Sequence, residues 1–224
     1  MQAYQLAQYI DHTALSAEKT EQDILTLCDE AIDYGFYAIC INPCHIPLAK
    51  EKLKGSHIKI CTVIGFPLGA NATAVKAFEA QQAIEAGANE IDMVINIGWL
   101  KSGLWAKVEQ DIAQVKQICD NIPLKVILET CLLSPEEITQ ACEICKQLKV
   151  AFVKTSTGFN KGGATLEDVK LMHSLVANST EVKASGGIRD TDTALAMINA
   201  GATRIGTSSG VAIIHNLVSQ TQEY

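Results

Sequence analysis

The feature that most limits how this chain can fold is an alternation. Eight short β-branched or apolar runs are each followed by a longer stretch of helical periodicity. The runs are Gln8–His12, Phe36–Ile41, Ile58–Ile64, Glu90–Ile95, Leu124–Glu129, Ala151–Lys154, Glu181–Ala184 and Thr203–Gly206. Their starts lie roughly 22 to 34 residues apart, enough for a strand, a helix and two turns. Alternation of this kind builds a parallel sheet, and eight repeats are the number that closes one. A length of 224 residues suits one such barrel or two small domains. No Pro/Gly/Ser-rich linker or charge run divides the chain. The expectation is therefore an α/β protein, a single (β/α)8 TIM barrel over residues 1–224, with a polar C-terminal tail at about 217–224 expected to be mobile.

Local signals agree with that reading. Ser134-Pro135-Glu136-Glu137 supplies an N-cap, a proline at the first helical position and a glutamate at the third, and Thr165-Leu166-Glu167-Asp168 marks another helix start. Gly87 and Gly201 fall where helices should end. Residues 84–92 echo residues 198–206, each a helix end, a glycine turn and a strand, about half a chain apart. The echo fits four repeats of an eight-repeat barrel, and it also fits a common Ala-Gly-Ala turn.

Composition excludes several functions. A net charge of −7 with no Lys/Arg run argues against a nucleic-acid footprint. No run of about 18 apolar residues is present to span a membrane, and Met1–Ser16 lacks the pattern of a signal peptide. The 8 cysteines then read as reduced thiols of a cytoplasmic protein. Cys142-Glu143-Ile144-Cys145 lies mid-helix, and Cys44-His45 lacks a second ligand pair at zinc spacing, so no metal site is expected.

Chemistry in such a barrel sits at the C-terminal ends of the strands. Those positions hold Asp11, His12 and Thr13; Cys40 and Asn42; Asp92 and Asn96; Glu129; Lys154, Thr155 and Ser156; Lys183; and two glycine-containing loops. Lys154 and Lys183 stand out, because lysine is rarely buried without a partner. A lysine nucleophile must first lose its proton. At an unperturbed pKa of about 10.4, only about one amine in 2,500 is neutral at pH 7. Desolvation and a neighbouring cation both raise that share, and Lys183 on the next strand is placed to be the cation. The alternative is a structural pair of lysines, reaching solvent or bridged to Asp92. Cys40, near the expected pocket mouth, is a second nucleophile candidate. Ser185-Gly186-Gly187 and Gly206-Thr207-Ser208-Ser209-Gly210 follow the last two strands, where barrels often bind phosphate on backbone N–H groups. Either loop alone could be a turn or a helix cap; the two together point to an anion. Arg189 reads better as a surface residue at a helix start.

Several stretches carry a family resemblance. Residues 152–159 (FVKTSTGF), 182–189 (VKASGGIR), 90–96 (EIDMVIN), 10–15 (IDHTAL) and 205–209 (IGTSS) closely resemble, in order along the whole chain, motifs of the deoxyribose-phosphate aldolases. The resemblance implies a class I aldolase that cleaves 2-deoxy-D-ribose 5-phosphate to D-glyceraldehyde 3-phosphate and acetaldehyde, in deoxynucleoside breakdown. It implies neither metal nor cofactor, and small-molecule partners, the sugar phosphate and acetaldehyde, with a homo-oligomeric (dimeric or tetrameric) cytoplasmic enzyme. Lys154 would form the Schiff base, Lys183 would tune it, and Asp92 would share a proton relay with Lys183. Asp11 and Thr13 would orient substrate hydroxyls or Lys183, and Thr155, within the matching Lys-Thr-Ser-Thr-Gly run, would contact the substrate; Cys40, read from its strand-end position alone, would be a substrate-side thiol open to aldehydes. Gly158, Gly186, Gly187, Gly206, Ser208 and Ser209 would hold the phosphate. Some relatives carry a lysine where this chain has Phe159, so that cationic contact is missing here unless Lys161 substitutes for it. Some end in a tyrosine that reaches the site, the position of Tyr224 here. Two other readings compete: another phosphosugar barrel lyase or isomerase, and a sugar-phosphate-binding barrel without catalysis. An isomerase would need two carboxylates at strand ends, and a binder would need no strand lysine.

Overall fold

Each of the eight expected runs forms a strand in the computed structural model, which describes residues 1–215. The strands are β1 Ile10–Ala14, β2 Ala38–Ile41, β3 Lys59–Ile64, β4 Glu90–Val94, β5 Leu124–Ile127, β6 Phe152–Lys154, β7 Glu181–Ser185 and β8 Arg204–Thr207. All neighbours pair parallel, and β8 returns to β1, so the sheet is a closed barrel in sequence order. Helices connect the strands on the outside, giving the (β/α)8 architecture expected from the spacing. The expected tail at about 217–224, Tyr224 included, lies outside the described residues.

The helix ends follow the sequence signals. Ser134 and Glu137 form the capping box of the helix Pro135–Gln147, and Thr165 caps Leu166–Val176 by accepting from the Asp168 N–H. Gly87, at φ 121°, closes the helix Thr73–Ala86, where an L side chain would be strained.

Strand alternation divides the sheet into two environments. Ile39, Ile41, Ile91, Met93, Val126, Val153, Val182, Ala184 and Ile205 pack outward into one apolar layer under the helices. Burying one such side chain stabilises the fold by about 1.5–3 kcal/mol, so this layer drives closure. The opposite face looks into the barrel. Its apolar part is small, formed by Leu15, Cys40, Cys61 and Val63 with Phe66 against them. The remainder is mostly polar and charged, with Phe152 set among the charges.

Two boundaries differ from expectation in ways that matter for the site. β1 starts two residues later and ends at Ala14, because a short helix, Ala3–Ala7, occupies the chain before it. Asp11 is thereby the second residue of its strand rather than a strand-end group. β5 stops at Ile127, because Glu129 takes the left-handed conformation at φ 58°. A buried non-glycine residue held there is strained, by roughly 1–3 kcal/mol, and something must hold it.

Candidate active site

Lys154 is the last residue of β6, in direct register with Lys183 on β7. Both donate to the same oxygen of Asp92 on β4, Lys154 Nζ at 2.8 Å and Lys183 Nζ at 2.9 Å from Oδ2. The sequence points to Lys183 as a second cation beside Lys154 and to Asp92 as its partner in a relay. The structure sets that Asp92 carboxylate between the two lysines, and both are buried.

The contacts continue below this trio and return to it. Lys183 also donates to Asp11 Oδ2. Arg204 Nη1 donates to Asp11 Oδ1 at 2.9 Å and to Glu90 Oε2 at 3.0 Å. Lys125 Nζ lies 2.5 Å from Glu90 Oε2 and 2.9 Å from Asp92 Oδ1. Asp92, Lys183, Asp11, Arg204, Glu90 and Lys125 therefore form a closed ring in which carboxylates and cations alternate. None of its members is more than 5% exposed. The ring is neutral by itself, three charges against three. Lys154 is attached to it at Asp92, and no carboxylate is left over to answer an ammonium there.

Burial alone would neutralise these groups, and their neighbours outweigh it. Burial pushes the Asp92 carboxyl up, but Lys125, Lys154 and Lys183 together hold it well below its ordinary range. Asp11 is held at about 2 in the same way, against burial, by Lys183, Arg204 and Lys125. Burial pulls the Lys183 ammonium down, and Asp11 and Asp92 more than reverse that. Lys125 is likewise held protonated against burial, by Asp92 first among its carboxylates. Asp92 and Lys183 are thus a fixed carboxylate and a fixed ammonium, a coupled pair whose proton belongs to the lysine at rest.

Above this floor lies a cavity of about 130 Å³ that opens at the C-terminal ends of the strands. Lys154 enters it from below, and Gly158, Gly186, Gly187, Gly206, Ser208 and Ser209 all line it, as does Thr13. Two of the glycines are needed for space. A Cβ at Gly186, where φ is 87°, would lie 2.9 Å from the Gly163 Cα. A Cβ at Gly206 would lie 3.0 Å from the Lys183 Cε, so this glycine also clears the path of the second lysine. Lys161 and Arg189 line the cavity too. Arg189 is half-buried there rather than the surface residue the sequence suggested. Phe159 closes one side, its ring edge-on to Phe66 at 5.1 Å between centroids.

Three candidates stand elsewhere. Asp11 lies in the ring beneath the cavity and touches Lys183, so the substrate-contact half of its expectation has no geometric support. Cys40 is fully buried among Leu15, Cys61, Val63 and Phe66, and does not line the cavity. Its thiol is lowered chiefly by a hydrogen bond from Cys61. Thr155 faces away from the cavity: its hydroxyl donates to the Ser185 carbonyl and accepts from the Ser185 N–H, both at 3.0 Å, which ties β6 to β7.

Four working groups escaped the sequence reading: Lys125, Glu90, Arg204 and Cys61, whose Sγ lies 3.1 Å from Asp92 Oδ1. Restricting attention to strand ends hid them, since they sit early in their strands. Lys125 follows Leu124 and precedes Val126-Ile127, the same lysine-in-apolar-strand signal that singled out Lys154. Glu129 has a role the sequence left open. Its carboxylate accepts from the Thr157 N–H at 3.1 Å and from the Thr157 hydroxyl at 2.5 Å, and the Phe159 N–H in turn donates to that hydroxyl. These contacts hold both the strained Glu129 backbone and the Thr157–Gly158 turn at the cavity wall. Cys40, Cys61 and Asp92 lie close enough to share a metal ion. They are a poor donor set for one, because both Asp92 oxygens already accept from ammonium groups.

A buried lysine at a cavity floor, a rim of small residues and two rim cations suit covalent chemistry on a small anionic carbonyl compound. Comparison with known proteins agrees with that chemistry. The family model described as DeoC/LacD family aldolase matches residues 5–216. The deoxyribose-phosphate aldolase of Mannheimia succiniciproducens is 67% identical over 224 residues, which cover 100% of both chains. Among solved structures, an aldolase named QR15 superposes with a TM-score of 0.90 at 44% identity, covering 94% of each chain. The tetrameric deoxyribose phosphate aldolase of Aeropyrum pernix gives 0.86 at 35% identity, covering 95% of this chain and 91% of that one. Motifs, barrel, lysine-floored cavity and relatives converge, and the chain belongs to the DeoC/LacD family of aldolases.

Proposed function

We propose that this chain cleaves 2-deoxy-D-ribose 5-phosphate reversibly into D-glyceraldehyde 3-phosphate and acetaldehyde through an imine on Lys154. The observation that carries the reading is the neutral ring of six buried charges with Lys154 as the seventh, at the floor of a glycine-lined cavity. The three carboxylates of the ring are already matched by its three cations, so Lys154 shares Asp92 with Lys183 and Lys125 and has no carboxylate to itself. The amine adds to the C1 aldehyde, water leaves, and the protonated imine becomes an electron sink. Loss of the C3 hydroxyl proton then breaks the C2–C3 bond, releasing glyceraldehyde 3-phosphate and leaving an enamine. Protonation at C2 and hydrolysis release acetaldehyde and restore the amine.

Asp92 and Lys183 are the groups placed to handle these protons, with Asp92 touching both lysines. The phosphate end of the substrate fits the rim formed by Gly186, Gly187, Ser208 and Ser209, with Lys161 and Arg189 as the charges that Phe159 does not supply. Glu129 positions the Thr157–Gly158 part of that rim. An isomerase reading lacks support, since Asp11, Glu90 and Asp92 are each committed to ring cations. The full-length likeness to bacterial relatives supports a cytoplasmic catabolic enzyme, and the tetrameric Aeropyrum relative supports a homo-oligomer. No described helix is long and apolar enough to cross a membrane.

The test is cleavage of 2-deoxy-D-ribose 5-phosphate by the purified chain in the presence of a metal chelator. Equimolar acetaldehyde and glyceraldehyde 3-phosphate are expected, with much slower cleavage of unphosphorylated 2-deoxy-D-ribose. Absence of cleavage, or equal rates on the two sugars, contradicts the reading.

A further inference from the structure

We propose that Glu90 and Arg204 are positioning residues for the aldol reaction, setting the charge felt by Lys154 from the opposite end of the barrel. The proposal rests on the imine reading above and extends it to groups that touch no substrate. Glu90 and Arg204 are at the first residues of β4 and β8. They line a separate hollow at the N-terminal end of the barrel, together with Tyr37, Phe152 and Glu181, and neither lines the catalytic cavity.

These residues are built in rather than loosely placed. The Arg204 guanidinium lies 3.6 Å from the Tyr37 ring centroid and 5.0 Å from that of Phe152. Its hydrogen bonds to Asp11 and Glu90 complete one side of the ring, and the contact of Glu90 with Lys125 completes the other. Two ionic routes therefore run from the far end of the barrel to Asp92, and Asp92 touches Lys154. A fold that needed only packing here would favour apolar residues, since a buried ion network is seldom more stable than its hydrophobic replacement.

The charged and titratable groups around Lys154 come from every wall. Asp11 stands on β1, Cys40 on β2, Cys61 on β3, Glu90 and Asp92 on β4, Lys125 on β5, Lys183 on β7 and Arg204 on β8, with Lys161, Arg189 and Glu129 at the rim. Of the three ring carboxylates, Asp11 and Glu90 are each reached from Lys154 through Asp92 and one lysine, and Glu90 is the one at the first residue of its strand. Removing its charge leaves the interior one positive charge in excess and favours the neutral amine. Removing the Arg204 charge does the reverse. A unit charge about 10 Å away, at an effective dielectric near 20, moves a titration by about one pH unit.

The experiment is the pH dependence of kcat/KM for sugar-phosphate cleavage, which reports the free enzyme. In Glu90→Gln, the rising limb is expected about one pH unit lower than in the wild type. In Arg204→Gln it is expected about one unit higher, and the double variant returns toward the wild-type midpoint. Arg204→Lys, which keeps the charge, holds the midpoint even if it lowers the melting temperature. Purely structural roles would lower activity at every pH without moving the limb, and would make the double variant worse than either single. Unmoved limbs, or shifts in the same direction, overturn the proposal. Should Arg204→Gln fail to fold, an unmoved limb in Glu90→Gln overturns it alone. Borohydride labelling of wild-type Lys154 with acetaldehyde separates the two levels. No label means the imine reading has failed; a label with unmoved limbs means that only this inference has.

Discussion

The two halves of the site are made in opposite ways. The mouth is built by leaving side chains out: at Gly186 and Gly206 an added Cβ would meet Gly163 or Lys183 within 3.0 Å. The floor is built by putting charges in, six of them in a neutral ring at no more than 5% exposure. In the proposed reading the mouth gives space and backbone to an anion, while the floor gives fixed protons and a fixed field to an amine. Damage to the mouth should therefore appear in substrate binding, and damage to the floor in chemistry, pH response and stability.

The largest expected effect comes from breaking the floor. Lys183→Leu leaves Asp11 with one cation fewer and Asp92 facing Lys125 and Lys154 alone. We expect kcat to fall by about 10²–10⁴-fold and stability by about 3–5 kcal/mol, the cost of an uncompensated buried charge. Steady-state kinetics near neutral pH and denaturant unfolding check this; normal kcat would remove Lys183 from the mechanism.

Breaking the mouth should look different. Gly186→Ala strains a residue at φ 87° and presses on Gly163. The expected result is a rise of about tenfold in KM for the phosphorylated sugar with kcat within about threefold, for a loss of about 1–3 kcal/mol in stability. A fall in kcat at unchanged KM would erase the proposed division between the two regions.

The smallest effect is on acid stability. The folded-state pKa of Asp11 is lowered from 3.8 to about 2, and that of Asp92 is also held well below its ordinary value. A lowered carboxylate contributes stability that is present above its unfolded value and lost as pH falls through its folded value. Stability should therefore drop between about pH 4 and pH 2. Asp11→Asn should flatten that slope, while Gly186→Ala should keep it. Denaturant midpoints across this range decide the matter, and equal slopes in all three proteins would mean that the ring carries no such linkage.

The same contrast explains what the sequence could tell. The barrel was legible because outward strand residues such as Ile39, Ile91 and Val153 repeat at fixed spacing, and helix ends carry Ser134, Thr165 and Gly87. The mouth was legible because its glycines and serines cluster in two short loops directly after β7 and β8. The floor was only half legible. Lys154 and Lys183 showed as lysines among apolar neighbours, but Asp11, Glu90, Lys125 and Arg204 meet only once the sheet closes. Their partners are distant in sequence, with Arg204 and Asp11 lying 193 residues apart. Position within a strand decides whether a group belongs to the ring or to the cavity, and boundaries shifted by two residues at β1 were enough to hide the distinction for Asp11.

The central claim is that Lys154 forms the imine, and chemical trapping tests it most directly. The protein is treated with acetaldehyde and sodium borohydride, and the modified peptide is mapped by mass spectrometry. The account predicts one reduced two-carbon adduct on Lys154, with activity lost in proportion to labelling. An adduct on Lys183 or Lys125 instead, or inactivation without any reduced imine at Lys154, would contradict it.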